Sequence, residues 1–122
     1  MSTVTLSPPN AILFLFDRAN KKVRIPTYIE GQLVASNDSC VSVGTQAAVD
    51  GDVTVTLEAS PPNINELQRL YAGVLNAPSR KLAIVTAEAQ TILEIDVGSD
   101  RPEIEVWADD QRNPARIAMV AR

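Results

Sequence analysis

Residues 52–58 read Asp-Val-Thr-Val-Thr-Leu-Glu, polar and apolar side chains alternating without a break. A strand sends successive side chains to opposite faces, so Val53, Val55 and Leu57 belong in a core and Asp52, Thr54, Thr56 and Glu58 in water. Related segments fill much of the chain. Residues 11–16, 39–45, 81–88, 91–97, 103–108 and 116–121 are short and rich in β-branched residues. Turn residues separate them roughly every 8–12 positions, the spacing of an all-β domain. Residues 23–29 read as a returning strand after the Ala19-Asn20 turn, with Pro26 marking an edge or bulge, and residues 30–38 read as loop.

One segment breaks the pattern. Ser60-Pro61-Pro62 ends the β grammar, and Asn63 and Glu66 have capping-box spacing. Ile64, Leu67, Leu70, Tyr71, Val74 and Leu75 then fall on one helical face, interrupted by Gly73 and closed by Asn76-Ala77-Pro78. The expected architecture is a single domain over residues 1–122, an antiparallel β-sandwich or flattened barrel of about eight strands with one short helix near 63–75. The short links 89–90, 98–102 and 109–114 favour antiparallel neighbours, because a parallel crossover needs about a dozen residues. No segment repeats at a fixed period, which excludes propellers and solenoids.

Composition removes many functions. The chain has 122 residues, 45% of them apolar, no histidine and one cysteine. Zinc fingers, disulfide scaffolds and histidine-dependent catalytic pairs therefore lack parts, and no Gly-rich phosphate loop or nucleophile elbow is present. No catalytic set, metal site or cofactor is expected. The Asp50-Gly51-Asp52 triplet lacks the further ligands of a calcium loop and reads as a turn. A pI near 4.7 argues against nucleic acid as a partner, and Arg18, Lys21, Lys22 and Arg24 read as a solvated loop. The apolar run 11–16 is too short to cross a membrane and lacks the flanks of a signal peptide. The single Cys40 reads as a buried small hydrophobe, and one cysteine fits a reducing, cytoplasmic setting.

Charge is unevenly distributed. Residues 88–110 carry eight carboxylates (Glu88, Glu94, Asp96, Asp100, Glu103, Glu105, Asp109 and Asp110) against one cation, Arg101. Alternation turns Glu94 and Asp96 outward on one strand, and Glu103, Glu105, Trp107 and Asp109 outward on the next. Were these two strands a hairpin, Asp96 would lie opposite Glu103 or Glu105, a destabilising pairing of like charges. Two things can offset it: Arg116 and Arg122 on an adjacent last strand, or an external basic partner. Trp107 likewise has two possible settings. It is either a contact hot spot steered by Glu94, Asp96, Glu103, Glu105 and Asp109, or an aromatic packed under a helix or loop with its N–H bonded internally.

Over residues 81–120 the order of features is more specific. An alternating strand, a second ending Leu93-Glu94-Ile95-Asp96-Val97, a turn, Glu103-Ile104-Glu105-Val106-Trp107 and a closing strand together resemble the carboxyl-terminal half of the competence protein J family. That family is linked to inhibition of a DNA-entry nuclease. The resemblance implies a small β-sandwich inhibitor, covers about a third of the chain and transfers no functional residue. The function expected is a non-enzymatic protein-binding module that masks a basic partner surface. The alternatives are an assembly protein forming a homo-oligomer, and a small ligand-binding barrel or enzyme with an enclosed polar pocket.

Overall fold

The computed structural model describes residues 2–63 and 65–122. Their strands form two five-stranded sheets. The first sheet holds, in spatial order, β1 (Ser2–Leu6), β5 (Val53–Glu58), β10 (Arg116–Ala121), β9 (Glu103–Ala108) and β6 (Gln68–Val74). The second holds β3 (Val34–Ser36), β4 (Cys40–Gly44), β2 (Ile12–Phe16), β7 (Lys81–Thr86) and β8 (Thr91–Asp96). The sheets stack as a sandwich and do not close into a barrel.

The alternation read from the sequence builds the core. Val53, Val55 and Leu57 on β5, Ile104 and Val106 on β9, and Ile117 and Met119 on β10 are buried against Leu13, Leu15, Val41, Val43, Leu82 and Ile84 of the other layer. Each such side chain contributes about 1.5–3 kcal/mol by leaving water. The Asp50-Gly51 turn also forms, as a short 3-10 turn over Ala48–Asp50 with Gly51 at φ 118°, a backbone angle that favours glycine.

Four expectations need correction. The helix near 63–75 does not form: residues 68–74 are strand β6, at the edge of the first sheet beside β9. A bulge between Arg69 and Tyr71 makes the adjacent Leu70 and Tyr71 both half-buried, so the period of two is broken in a way that mimics helical spacing. Gly73 fits this strand because the Tyr71 ring lies over the space a Cβ would occupy. Ile64, part of the helical pattern, lies outside the described residues.

Residues 23–29 form no strand either. Pro26 has no N–H to offer a ladder, and the neighbouring Arg24 N–H and C=O bond the side chains of Ser39 and Asn37 at 2.9 Å each. Two strands the sequence reading passed over do form. β1 pairs antiparallel with β5, and β3 occupies part of the segment read as loop.

The sheets are also not wholly antiparallel. β10 runs parallel to β5, with Ile117 opposite Val55 and Met119 opposite Leu57. This parallel pair follows from a crossover. The described residues between β5 and β6, 59–63 and 65–67, leave β5, pass β10 and β9, and enter β6 at the far edge. Three strand spacings amount to about 14 Å, well within reach of such a segment. The crossover takes the outward side of the first sheet: Pro61, Pro62 and Leu67 line one cleft with the outward-facing Thr54, Thr56 and Ala118.

Candidate functional site

The strand carrying Trp107 lies between β10 and β6, with Ala118 and Arg69 directly opposite Trp107. Its outward face holds Glu103, Glu105 and Trp107, as alternation requires. Trp107 is half-buried, and its Nε1–H donates to Glu105 Oε1 at 2.8 Å. Arg122 Nη2 donates to the other oxygen, Glu105 Oε2, also at 2.8 Å. The Glu105 side chain is only 10% exposed, against 41% for Arg122. Arg122 Nε also lies 3.7 Å from Glu103 Oε2.

The result is a clasp. One buried carboxylate is satisfied by an indole and a guanidinium, and the pairing of β10 with β9 brings them together. Of the two arginines expected to neutralise this face, Arg122 does so. Arg116 has a different role: its backbone N–H and that of Ala115 bond Asp109 Oδ1 at 3.1 and 3.0 Å, which fixes the β9–β10 turn. The same turn uses Asp110, whose carboxyl is held below its ordinary range by the backbone N–H groups of Asn113 and Arg112.

The hairpin between the strands carrying Asp96 and Glu103 does not form. β8 is an edge of the second sheet and pairs with β7, whereas β9 is interior to the first. The short link 97–102 changes layers because its carbonyls pair elsewhere: Leu75 N–H bonds Pro102 O and Ala77 N–H bonds Asp100 O. Glu94 and Asp96 therefore sit exposed on β8, apart from the Glu103, Glu105 and Trp107 face, and Asp109 closes the far end of β9. Asp96 faces Lys81 at 3.9 Å. The six carboxylate and tryptophan positions do not make one continuous strip. Among the described residues, like charges of β8 and β9 are not opposed across a ladder, and the repulsion that would demand a partner is absent from this pairing.

A cleft of about 400 Å³ adjoins this face, lined by Thr54, Thr56, Glu58, Pro61, Pro62, Asn63, Leu67 and Arg116 among others. It is open and mixed in polarity. Among the described residues, no group of three or more His, Cys, Asp or Glu side chains is placed to hold a metal ion.

Cys40 is fully buried, and burial pushes its thiol up to about 12. A thiol-specific chromophoric reagent at pH 8 should therefore titrate no thiol in the native protein and one after denaturation. Because the folded value is raised, the associated stability is intact below about 9 and is lost as pH climbs toward 12. Rapid labelling without denaturant would contradict this.

No protein-family model matches the sequence, and no curated protein matches it. A solved structure does. The crystal structure of ComJ from Bacillus subtilis, described as an inhibitor of the DNA-degrading activity of NucA, superposes with a TM-score of 0.71. The chain has the ComJ fold. Identity is 12%, and the match covers 99% of this chain and 94% of that one. The likeness read over residues 81–120 thus extends over the whole chain, including the crossover and the amino-terminal strands that the sequence alone left unmatched.

Proposed function

We propose that this chain is a non-enzymatic, inhibitor-type protein-binding module that masks a basic surface on another protein. The observation that supports this reading is the whole-chain likeness to an inhibitor, with 99% of this chain and 94% of that chain covered. The proposed contact face is the outward side of β9, with Trp107 as the anchor and Glu103 at its rim. Glu94, Asp96 and Asp109 act in this reading through the longer-range field that attracts a cationic partner. Glu105 holds the indole in place. A clasped, half-buried aromatic loses little side-chain entropy on binding, which favours it as an anchor.

The test is affinity capture of the tagged chain from its native cells across a salt series, alongside Trp107→Ala. A protein with a basic surface should be retained at low ionic strength and weakened as salt rises, because charge steering is screened. Trp107→Ala should reduce recovery about tenfold, the scale of a modest hot spot. Recovery indifferent to both salt and the substitution would remove this proposal.

A homo-oligomer is the second reading, and β1 favours it. This edge strand carries no charge, no proline and no bulge, whereas the β6 and β8 edges carry bulges and charged residues. Light scattering separates the two: a concentration-dependent dimer abolished by Thr5→Lys supports assembly through β1.

A further inference from the structure

We propose that the connection between β2 and β3, residues 17–33, is a second docking surface, apolar at its centre and basic beside it, that receives an acidic surface of a protein partner. The proposal goes beyond the Trp107 face and uses the opposite layer of the sandwich.

Length is the first indication. β2 and β3 flank β4 and run parallel to each other, so a crossover is required. The chain makes a comparable parallel crossover, past two strands, with residues 59–67 alone. The β2–β3 connection is almost twice as long, in a range where irregular loops commonly carry function. It is also well anchored. Arg24 N–H bonds Ser39 Oγ and Asn37 Nδ2 bonds Arg24 O, while Arg18 Nη1 bonds Ala89 O and Thr91 Oγ1, each at 2.9 Å. Pro26 is buried beneath the segment.

Such anchoring does not hide the apolar side chains. Tyr28 is 73% exposed, Ile25 58% and Ile29 50%. The other large apolar residues exposed among those described, Val49 and Val74, are isolated elsewhere in the chain. Tyr28 also lines an open cleft of about 700 Å³ with Ala11, Ile12, Leu33 and Arg112, which provides a concave place for a partner side chain.

Charge decides what docks there. Lys21, Lys22 and Arg24 are exposed in the same segment, Arg24 lines a cleft with Ile25 and Ile29, and neither lysine has a carboxylate within salt-bridge distance among the described residues. Arg24 makes one contact at 3.9 Å with the exposed Asp38. Over residues 17–33 four cations, Arg18, Lys21, Lys22 and Arg24, outnumber two carboxylates, the buried Asp17 and the exposed Glu30, so on a chain of net charge −4 this segment is locally cationic and also carries exposed aliphatic and aromatic groups. An acidic protein surface complements it on both counts, and Tyr and Arg are residue types enriched at protein interfaces. Single-stranded nucleic acid would be met by several aromatic platforms, and this patch has one ring. A lipid surface would make no use of the cleft beside it.

The experiment places the photo-crosslinker p-benzoylphenylalanine at Tyr28 in the tagged whole chain, which is then irradiated in its native cells. The expected product is a protein adduct whose crosslinked peptide is acidic. Its yield should fall at least tenfold with Lys21→Glu and Lys22→Glu together and persist with Trp107→Ala, so failure of the sheet-face proposal leaves this one standing. Unchanged thermal unfolding of the charge-reversed chain checks that the fold is intact. Absence of a protein adduct, a basic crosslinked peptide or indifference to charge reversal would overturn the proposal. So would tighter binding of the purified chain to phosphatidylserine vesicles or to a single-stranded DNA oligonucleotide than to the crosslinked protein.

Discussion

Asp17→Ala is expected to lower the unfolding free energy by about 3 kcal/mol, although a residue following an apolar strand and preceding an Arg-Ala-Asn turn reads as ordinary loop. Asp17 is 1% exposed. One of its oxygens accepts the Ser79 backbone N–H at 2.8 Å, and the other accepts Ser79 Oγ at 2.7 Å and Ala19 N–H at 2.9 Å. It thereby ties the end of β2 to the turn before β7, across 62 positions of sequence. Alanine removes the acceptor and strands two backbone donors and a hydroxyl. Bonds to a charged acceptor contribute about 1.5–3 kcal/mol each, and water entering the gap recovers part of that. Ser79→Ala deletes one neutral donor and should cost only about 1 kcal/mol. Urea unfolding monitored at Trp107 distinguishes the two through the midpoint, with the slope unchanged. A loss below 1 kcal/mol for Asp17→Ala would mean the staple carries no net stability. Because Asp17 opens the 17–33 connection, the same variant should also loosen the Tyr28 patch.

What the sequence made legible follows from which faces are wet. β5 and β9 each have one row that points away from the core, so Thr54, Thr56, Glu103 and Glu105 punctuate the apolar residues and fix both strand and register. β6 was hidden because its bulge sets Leu70 beside Tyr71 on the core side, and six apolar positions from Ile64 to Leu75 then fit a helical face equally well. Local pattern also says nothing about which layer a strand joins. A six-residue link ordinarily joins neighbours, yet 97–102 pairs through Pro102 and Asp100 with Leu75 and Ala77 and takes the chain to the other sheet. That one routing divides the acidic positions between two layers. In the candidate site, the sequence correctly put Trp107 and Glu105 on one face and nominated Arg122 as a neutraliser. It missed that the indole and the guanidinium would satisfy the same carboxylate, a contact that depends on the β9–β10 register. The run Ile25 to Ile29, exposed except at Pro26, misleads for the opposite reason: its β-branched composition resembles a strand, while the side chains of Ser39 and Asn37 take the backbone groups of Arg24 that a ladder needs.

Arg122→Ala is expected to cost about 2 kcal/mol, and the more informative result is how that loss is reversed. Removing the guanidinium leaves Glu105, its side chain 10% exposed, with Trp107 Nε1–H as its one remaining side-chain partner among the described residues. A buried charge deprived of its partner typically costs about 3–5 kcal/mol, and the 41% exposure of Arg122 lowers that figure here. If the penalty belongs to the stranded carboxylate, Glu105→Met in the Arg122→Ala background should restore at least half the loss, because an unbranched apolar side chain needs no counter-ion. The half-buried Trp107 can then turn its N–H to water. Chemical denaturation of the wild type, both single variants and the double variant closes the cycle and yields the coupling directly. A double variant less stable than Arg122→Ala alone would show that Glu105 supports the sheet through Trp107 rather than through its charge. The indole would then be a structural post, and the case for it as a docking anchor would weaken accordingly.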